Sequence, residues 1–219
     1  MRRWGYGKKR TRVWNISKLK TLLKEHVYII ILLLLSVVFF YSILSPNRIL
    51  NNIHYINDMT FLSYNVKDSI FNQKTLHLWT PYFYSGQPLM AIPESYLFDL
   101  NFLFILIFRN IYLAMNLAVI SYFFLAGLGM YLLIISFKKD SKAAFISALV
   151  YMLNGFMHSF IISGHLNILE SYALIPFVFL FAYRAVKSEK WLSNSILAGL
   201  FFAMMALAGG MIFFIYTGF

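Results

Sequence analysis

Between Val27 and Ser45 the chain reads VYIIILLLLSVVFFYSILS, nineteen residues without a charge. A bilayer core about 30 Å thick takes roughly 20 residues of helix, so this run is long enough to cross it. Four later stretches have the same character: Ile111–Ile135, Ala143–Ser163, Leu166–Val186 and Trp191–Tyr216. The pattern predicts an all-α, polytopic transmembrane bundle of about five spans. Apolar residues make up 60% of the 219 positions and charged ones 12%, far from the balance of a soluble domain.

The net charge of +11 is unevenly placed. Nine of the nineteen Lys and Arg residues precede Val27, which makes 1–26 a basic tail. Lys138, Lys139 and Lys142 share one later turn, and Arg184, Lys187 and Lys190 share another. Only Arg48, Lys67, Lys74 and Arg109 fall on the opposite side. Positive residues stay on the cytoplasmic face, so the N-terminus is expected inside and the first large loop, 46–110, outside the cell membrane. The basic tail reads as a topogenic segment, solvated or lying on anionic lipid through Ile16, Leu19 and Leu23. No nucleic-acid module accompanies the charge, so nucleic acid is not an expected partner. Val27–Ser45 is long for a signal peptide core and lacks a cleavage site, which makes it a retained span. The last span runs almost to Phe219, and the unit 27–219 is expected to be the N-terminal part of a longer domain.

Loop 46–110 is the one sizeable extramembrane feature. Met59, Leu62, Val66 and Ile70 fall on one helical stripe, and Asn57 or Asp58 could cap that helix. Leu97–Phe108 is apolar but too short to cross, so an interfacial or re-entrant helix is expected. Between them lies HLWTPYFYSGQPLMAIPESYLF, with Pro81, Pro88 and Pro93 stopping any helix and Gly86 permitting a tight turn. Trp79, Tyr82, Tyr84 and Tyr96 suit the headgroup layer, so the stretch reads as a stiff bracket on the bilayer surface.

Polar residues near the outer boundary are the candidates for chemistry. Asn154 and His158 lie on one face of the third span, His165 in a short outside turn, and Glu170 about one turn into the fourth span. An ionisable group inside a span faces the bundle or a wet cavity. For Glu170 both a functional role and a structural hydrogen bond stand open. His158 also reads as a packing residue, His165 as a solvated one, and Asp58 as a cap. His54, Asp58, His77, His158, His165 and Glu170 offer nitrogen and oxygen atoms, but their spacing matches no metal motif. No cofactor is expected, and a divalent cation has no support. Arg48 and Arg109 would stabilise a phosphate through charge-assisted hydrogen bonds.

The order of a first span, an outside Asp, the pattern W-x-P-Y-x-x-x-G-x-P (Trp79, Pro81, Tyr82, Gly86, Pro88), then AFISALVYMLNGFMHSFIISGHLNILESYALIPFVFL resembles the YfhO family and related proteins of the GT-C glycosyltransferase superfamily. That resemblance implies an inverting enzyme moving a sugar from a polyprenyl-phosphate donor to an extracytoplasmic acceptor. It puts Asp58 in the place of the base, although Asn57 stands where the family has Gly. Glu170 and His165 would assist, and Arg48, Arg109, Trp79, Tyr82, Gln87 and His158 would line the substrate. The expected partners are a lipid-linked sugar donor and membrane lipids. Two other classes stay open: a transporter or flippase of a lipid-linked substrate, and a non-catalytic membrane scaffold.

Overall fold

The computed structural model describes residues 16–44, 56–72, 74–75, 79–80, 85–88, 99–163 and 165–219. The described chain is helical apart from one small strand pair. Helix α1 covers Ile16–Phe39 and ends in a 3-10 turn at Tyr41–Ile43; α2 is Ile56–Phe71, and strands β1 (Trp79–Thr80) and β2 (Gln87–Pro88) follow. Then come α3 (Leu100–Phe108), α4 (Ile111–Lys138), α5 (Ser141–Met152), α6 (Gly155–Ser163), α7 (Leu166–Lys187), α8 (Trp191–Leu207) and α9 (Met211–Gly218).

Among the described residues two helices, α4 and α7, are long and apolar enough to cross a membrane. A third crossing is available if α5 and α6 form one bent span, while His26–Phe39 and Trp191–Leu207 are shorter apolar helices. Helix α4 is the central post, packing on α3, α5 and α7 as well as α1. Its buried face carries small residues, Ala114, Ala118 and Ala126 among them, which let neighbouring helices approach closely. Large apolar side chains remain exposed on the outer faces of α1, α5 and α8, as lipid contact requires: Leu34, Val38, Ile146, Val150, Ile196 and Leu200.

Two expected spans are interrupted. The third, drawn as Ala143–Ser163, bends by 41° between α5 and α6. Asn154 makes the break: its Oδ1 accepts from the Met157 amide at 2.7 Å, capping α6, while its Nδ2 donates to the Tyr172 hydroxyl at 2.7 Å and to the Tyr151 carbonyl. The fifth, drawn as Trp191–Tyr216, stops at Leu207, and the chain reverses at Gly209, whose φ is +83°. A continuous helix would hold residues 202 and 214 about 18 Å apart; instead the Phe202 and Phe214 rings stack at 4.3 Å. Gly210 is fixed by crowding, since a Cβ there would lie 1.9 Å from Ser171 Oγ.

The first helix also departs from the expected boundaries. It begins at Ile16, so much of the basic tail continues into the first span as one helix. Helix α2 starts at Ile56, which places Asn57 and Asp58 inside its first turn rather than at its cap. Val66 is buried as the stripe required, but so are the polar Ser63, Asn65 and Ser69. The reason is that α2 packs on α3 and α4 instead of presenting a polar face to water. Of the apolar segment expected to be too short to cross, the described residues are 99–108. They form the nine-residue α3, capped by Asp99 and packed antiparallel on the start of α4.

Candidate functional site

The site grows from the α3–α4 hairpin. Nine residues of α3 rise about 13 Å, and the chain turns at Arg109, whose φ of 55° gives the left-handed cap. Asn110 then caps α4, accepting from the Leu113 amide at 3.0 Å. Descending α4 from Ile111 by the same height, with the side chain leaning back towards the helix N-terminus, brings the Tyr122 hydroxyl level with the first turn of α3. There it accepts from the Leu100 amide at 2.9 Å. It donates in turn to Glu170 Oε2 on α7 at 2.7 Å.

Asp99 stands beside this bridge. Its Oδ1 accepts from the Phe102 amide at 2.7 Å, while Oδ2 is buried with no hydrogen-bond partner. Burial pushes the Asp99 carboxyl up to about 7, and the Phe102 amide pulls it partly back. Asp99 acts electrostatically on both Tyr122 and Glu170. Two carboxylates and one phenol thus share a pocket from which water is largely excluded: Asp99 is 8% exposed, Tyr122 1% and Glu170 2%. A neighbouring contact extends the polar cluster to α2, where Asn101 Nδ2 donates to Ser63 Oγ at 2.9 Å. The Asn101 Oδ1 and Asn65 Nδ2 atoms are buried without partners. Such a set can hold a proton and take one from a hydroxyl that reaches it.

Of the described residues expected to line a site, the structure brings only Glu170 into this cluster. Asp58 lies on the first turn of α2, but its side chain is outside the described residues, as are Arg48, Tyr82 and the side chain of Gln87. His165 is exposed at the start of α7 and makes no capping hydrogen bond. His158 sits edge-on to Phe39 of α1 at 5.9 Å, a packing contact. Arg109 is at the far end of α3 from Asp99, its guanidinium 4.8 Å over the Phe71 ring. Trp79 pairs with Pro88 in the strand ladder and lays its indole across Gly86, where a Cβ would lie 2.7 Å from the ring. Gly86 therefore serves a turn at φ +113°, and Trp79 supports that turn while staying half exposed. No cluster of three metal-ligating side chains occurs among the described residues.

Two partners of Glu170 escaped the sequence reading. Asp99 had a signal: an acidic residue directly before an apolar run is a helix start. Tyr122 had none, because one phenol among the apolar residues of a span looks like packing.

A family model described as "6-pyruvoyl-tetrahydropterin synthase related domain; membrane protein" matches residues 93–219, more than half of the chain. Neither the curated proteins nor the solved structures contain a match to the chain. The matched family replaces the YfhO and GT-C resemblance, which is thereby corrected. The Trp79–Pro88 pattern that carried most of that resemblance lies outside the matched residues, whereas Asp99, Tyr122 and Glu170 lie within them.

Proposed function

This chain belongs to the 6-pyruvoyl-tetrahydropterin synthase related domain family of membrane proteins, and within that membrane setting we propose, from its buried acidic cluster, that it is a membrane-embedded transferase. In this reading it moves a sugar from a lipid-phosphate-linked donor to a hydroxyl acceptor at the extracytoplasmic boundary. The observation that carries the reading is the buried Glu170–Tyr122 hydrogen bond with the Asp99 carboxylate beside it. Transfer to a hydroxyl needs a base for the acceptor proton, and a desolvated carboxylate is a stronger base than a solvated one. The Asp99–Tyr122–Glu170 group supplies that base, and it takes the role that the resemblance implied for Asp58. Position supports a donor carried on a lipid. Exposed apolar helix faces surround the bundle, so a substrate carried on a lipid reaches the site sideways through the bilayer. The basic N-terminal tail supports a cytoplasmic N-terminus, and with α1 and the bent α5–α6 pair each taken as one crossing, the start of α7 and Glu170 fall on the opposite side in this reading.

A second reading is favoured by the two helix interruptions beside α7. Broken helices next to buried polar groups are a hallmark of transporters, so translocation of a lipid-linked substrate is the alternative. One reconstitution separates the two. Proteoliposomes carrying polyprenyl-phosphate-linked sugar and a hydroxyl acceptor are expected to yield glycosylated acceptor, with turnover lowered about 100-fold or more in Glu170→Gln. Transfer that persists at the native rate in both Glu170→Gln and Asp99→Asn refutes this base, and the absence of glycosylated acceptor with the native protein sinks the transferase reading. Movement of the donor between leaflets without any product establishes the transporter.

A further inference from the structure

At the end of α7 away from Glu170, two contacts hold α4 and α7 side by side. Arg184 Nη2 donates to Ser136 Oγ at 3.1 Å, and the Phe137 and Tyr183 rings meet edge-on at 4.5 Å. Cations gather around this junction. Lys138 and Lys139 close α4, Lys142 follows in the first turn of α5, Lys187 closes α7 and Lys190 precedes α8. All five lysines are exposed, whereas Arg184 is partly buried. Two carboxylates, Asp140 and Glu189, stand among them, so six cations less two anions leave +4. Asp140 is already engaged, its Oδ1 accepting from the Lys142 amide at 3.0 Å to cap α5. Among the described residues no carboxylate answers Arg184, whose guanidinium otherwise lies 5.8 Å from the Phe181 ring.

We propose that this junction binds an anionic phospholipid, with its phosphate on Arg184, Lys138 and Lys187 and its acyl chains along the apolar side chains beside them. A guanidinium carries five donors in a planar fork, and the bond to Ser136 leaves most of them to be answered. A phosphate answers two at once through paired, charge-assisted hydrogen bonds. Setting topology or opposing helix dipoles explains exposed lysines, but neither requires a guanidinium seated between two helices. The surroundings select a lipid over a free anion. Phe137, Val186, Trp191 and Leu192 expose large apolar surfaces next to the cations, and Val186 is 84% exposed. A soluble phosphate compound gains nothing from that surface, whereas acyl chains cover it and the Trp191 indole suits the headgroup layer. Basic clefts between membrane helices hold anionic headgroups in this way. The junction is separate from the acidic cluster, since Arg184 is 14 residues beyond Glu170, about 21 Å along α7.

The site does not depend on the transferase reading, and its test uses no activity. The purified full chain in neutral detergent is melted against short-chain phosphatidylglycerol, short-chain phosphatidylcholine and inorganic phosphate. A saturable rise of the melting midpoint is expected with phosphatidylglycerol alone. Half-saturation should move upward about tenfold or more in Arg184→Gln, and less in Arg184→Lys, which keeps the charge and loses the fork. No rise, or an equal rise with phosphatidylcholine, overturns the proposal. An equal rise with inorganic phosphate overturns it too, since the site then serves a soluble anion. So does a phosphatidylglycerol response left unchanged by Lys138→Gln and Lys187→Gln together, a result readable even if Arg184→Gln fails to fold.

Discussion

The Tyr122 hydroxyl donates to Glu170 Oε2 at 2.7 Å while accepting from the Leu100 amide at 2.9 Å, so one phenol joins α3, α4 and α7. Neither the backbone amide nor the carboxylate is left to lipid. Tyr122→Phe keeps the ring and removes both bonds. A buried polar group left unsatisfied costs about 1–3 kcal/mol, so the variant should melt lower than native protein by several degrees. On the transferase reading its turnover should fall as well. An unchanged melting midpoint in Tyr122→Phe would show that the bridge contributes nothing to the fold.

Asp99 sets a pH dependence whose sign is fixed by its raised carboxyl. Below about pH 4 the group is protonated in folded and unfolded chains alike and costs nothing. Between about 4 and 7 the unfolded chain ionises while the folded one keeps its proton, so stability falls through that window and is lowest above it. The full loss is on the order of 4 kcal/mol at most. Asp99→Asn retains an oxygen for the Phe102 amide and removes the titration. Melting midpoints of both proteins between pH 5 and pH 8 are therefore expected to shift in the variant's favour as pH rises. A constant gap between the two would count against a buried, proton-holding Asp99.

The reversal after α8 depends on the absence of a side chain at position 210. Alanine there would place its Cβ 1.9 Å from Ser171 Oγ and 2.4 Å from Ser171 Cβ. Gly210→Ala should cost about 1–3 kcal/mol, as overpacking does. Ser171→Gly in the same chain should recover part of that loss, and Ser171→Ala, which removes Oγ but keeps Cβ, should recover less. A double-mutant cycle on melting midpoints measures the coupling, and simple additivity would refute the contact.

Asn154 both breaks the third span and repairs the break. Asn154→Ala loses the cap on the Met157 amide and the bond to the Tyr172 hydroxyl, a cost of about 1–2 kcal/mol. Asn154→Asp keeps the capping oxygen and loses the donor, so its melting midpoint should fall between the two. The order native, Asp, Ala is the expected result; Asp equal to Ala would mean that the cap carries no weight.

The apolar runs marked segments that fold as helices, but of the five spans they drew only α4 and α7 have full crossing length among the described residues, with α5 and α6 a third if the bent pair is one span. Leu97–Phe108 is too short to cross, a limit counted residue by residue, and α3 accordingly stops after nine residues. Hydropathy did not locate the interruptions at Asn154 and Gly209. The residues around them are as apolar as the rest, and the breaks are set by contacts with Tyr172 and Ser171 on another helix. The site divides in the same way. Glu170 announced itself as a lone carboxylate in a span, since burying such a group is costly unless something answers it. Its answer came from Tyr122 and Asp99, far away in sequence, and only the packing of α3 and α7 against α4 decides that these meet. Periodicity is a property of neighbours along the chain, whereas a shared proton is a property of neighbours in space.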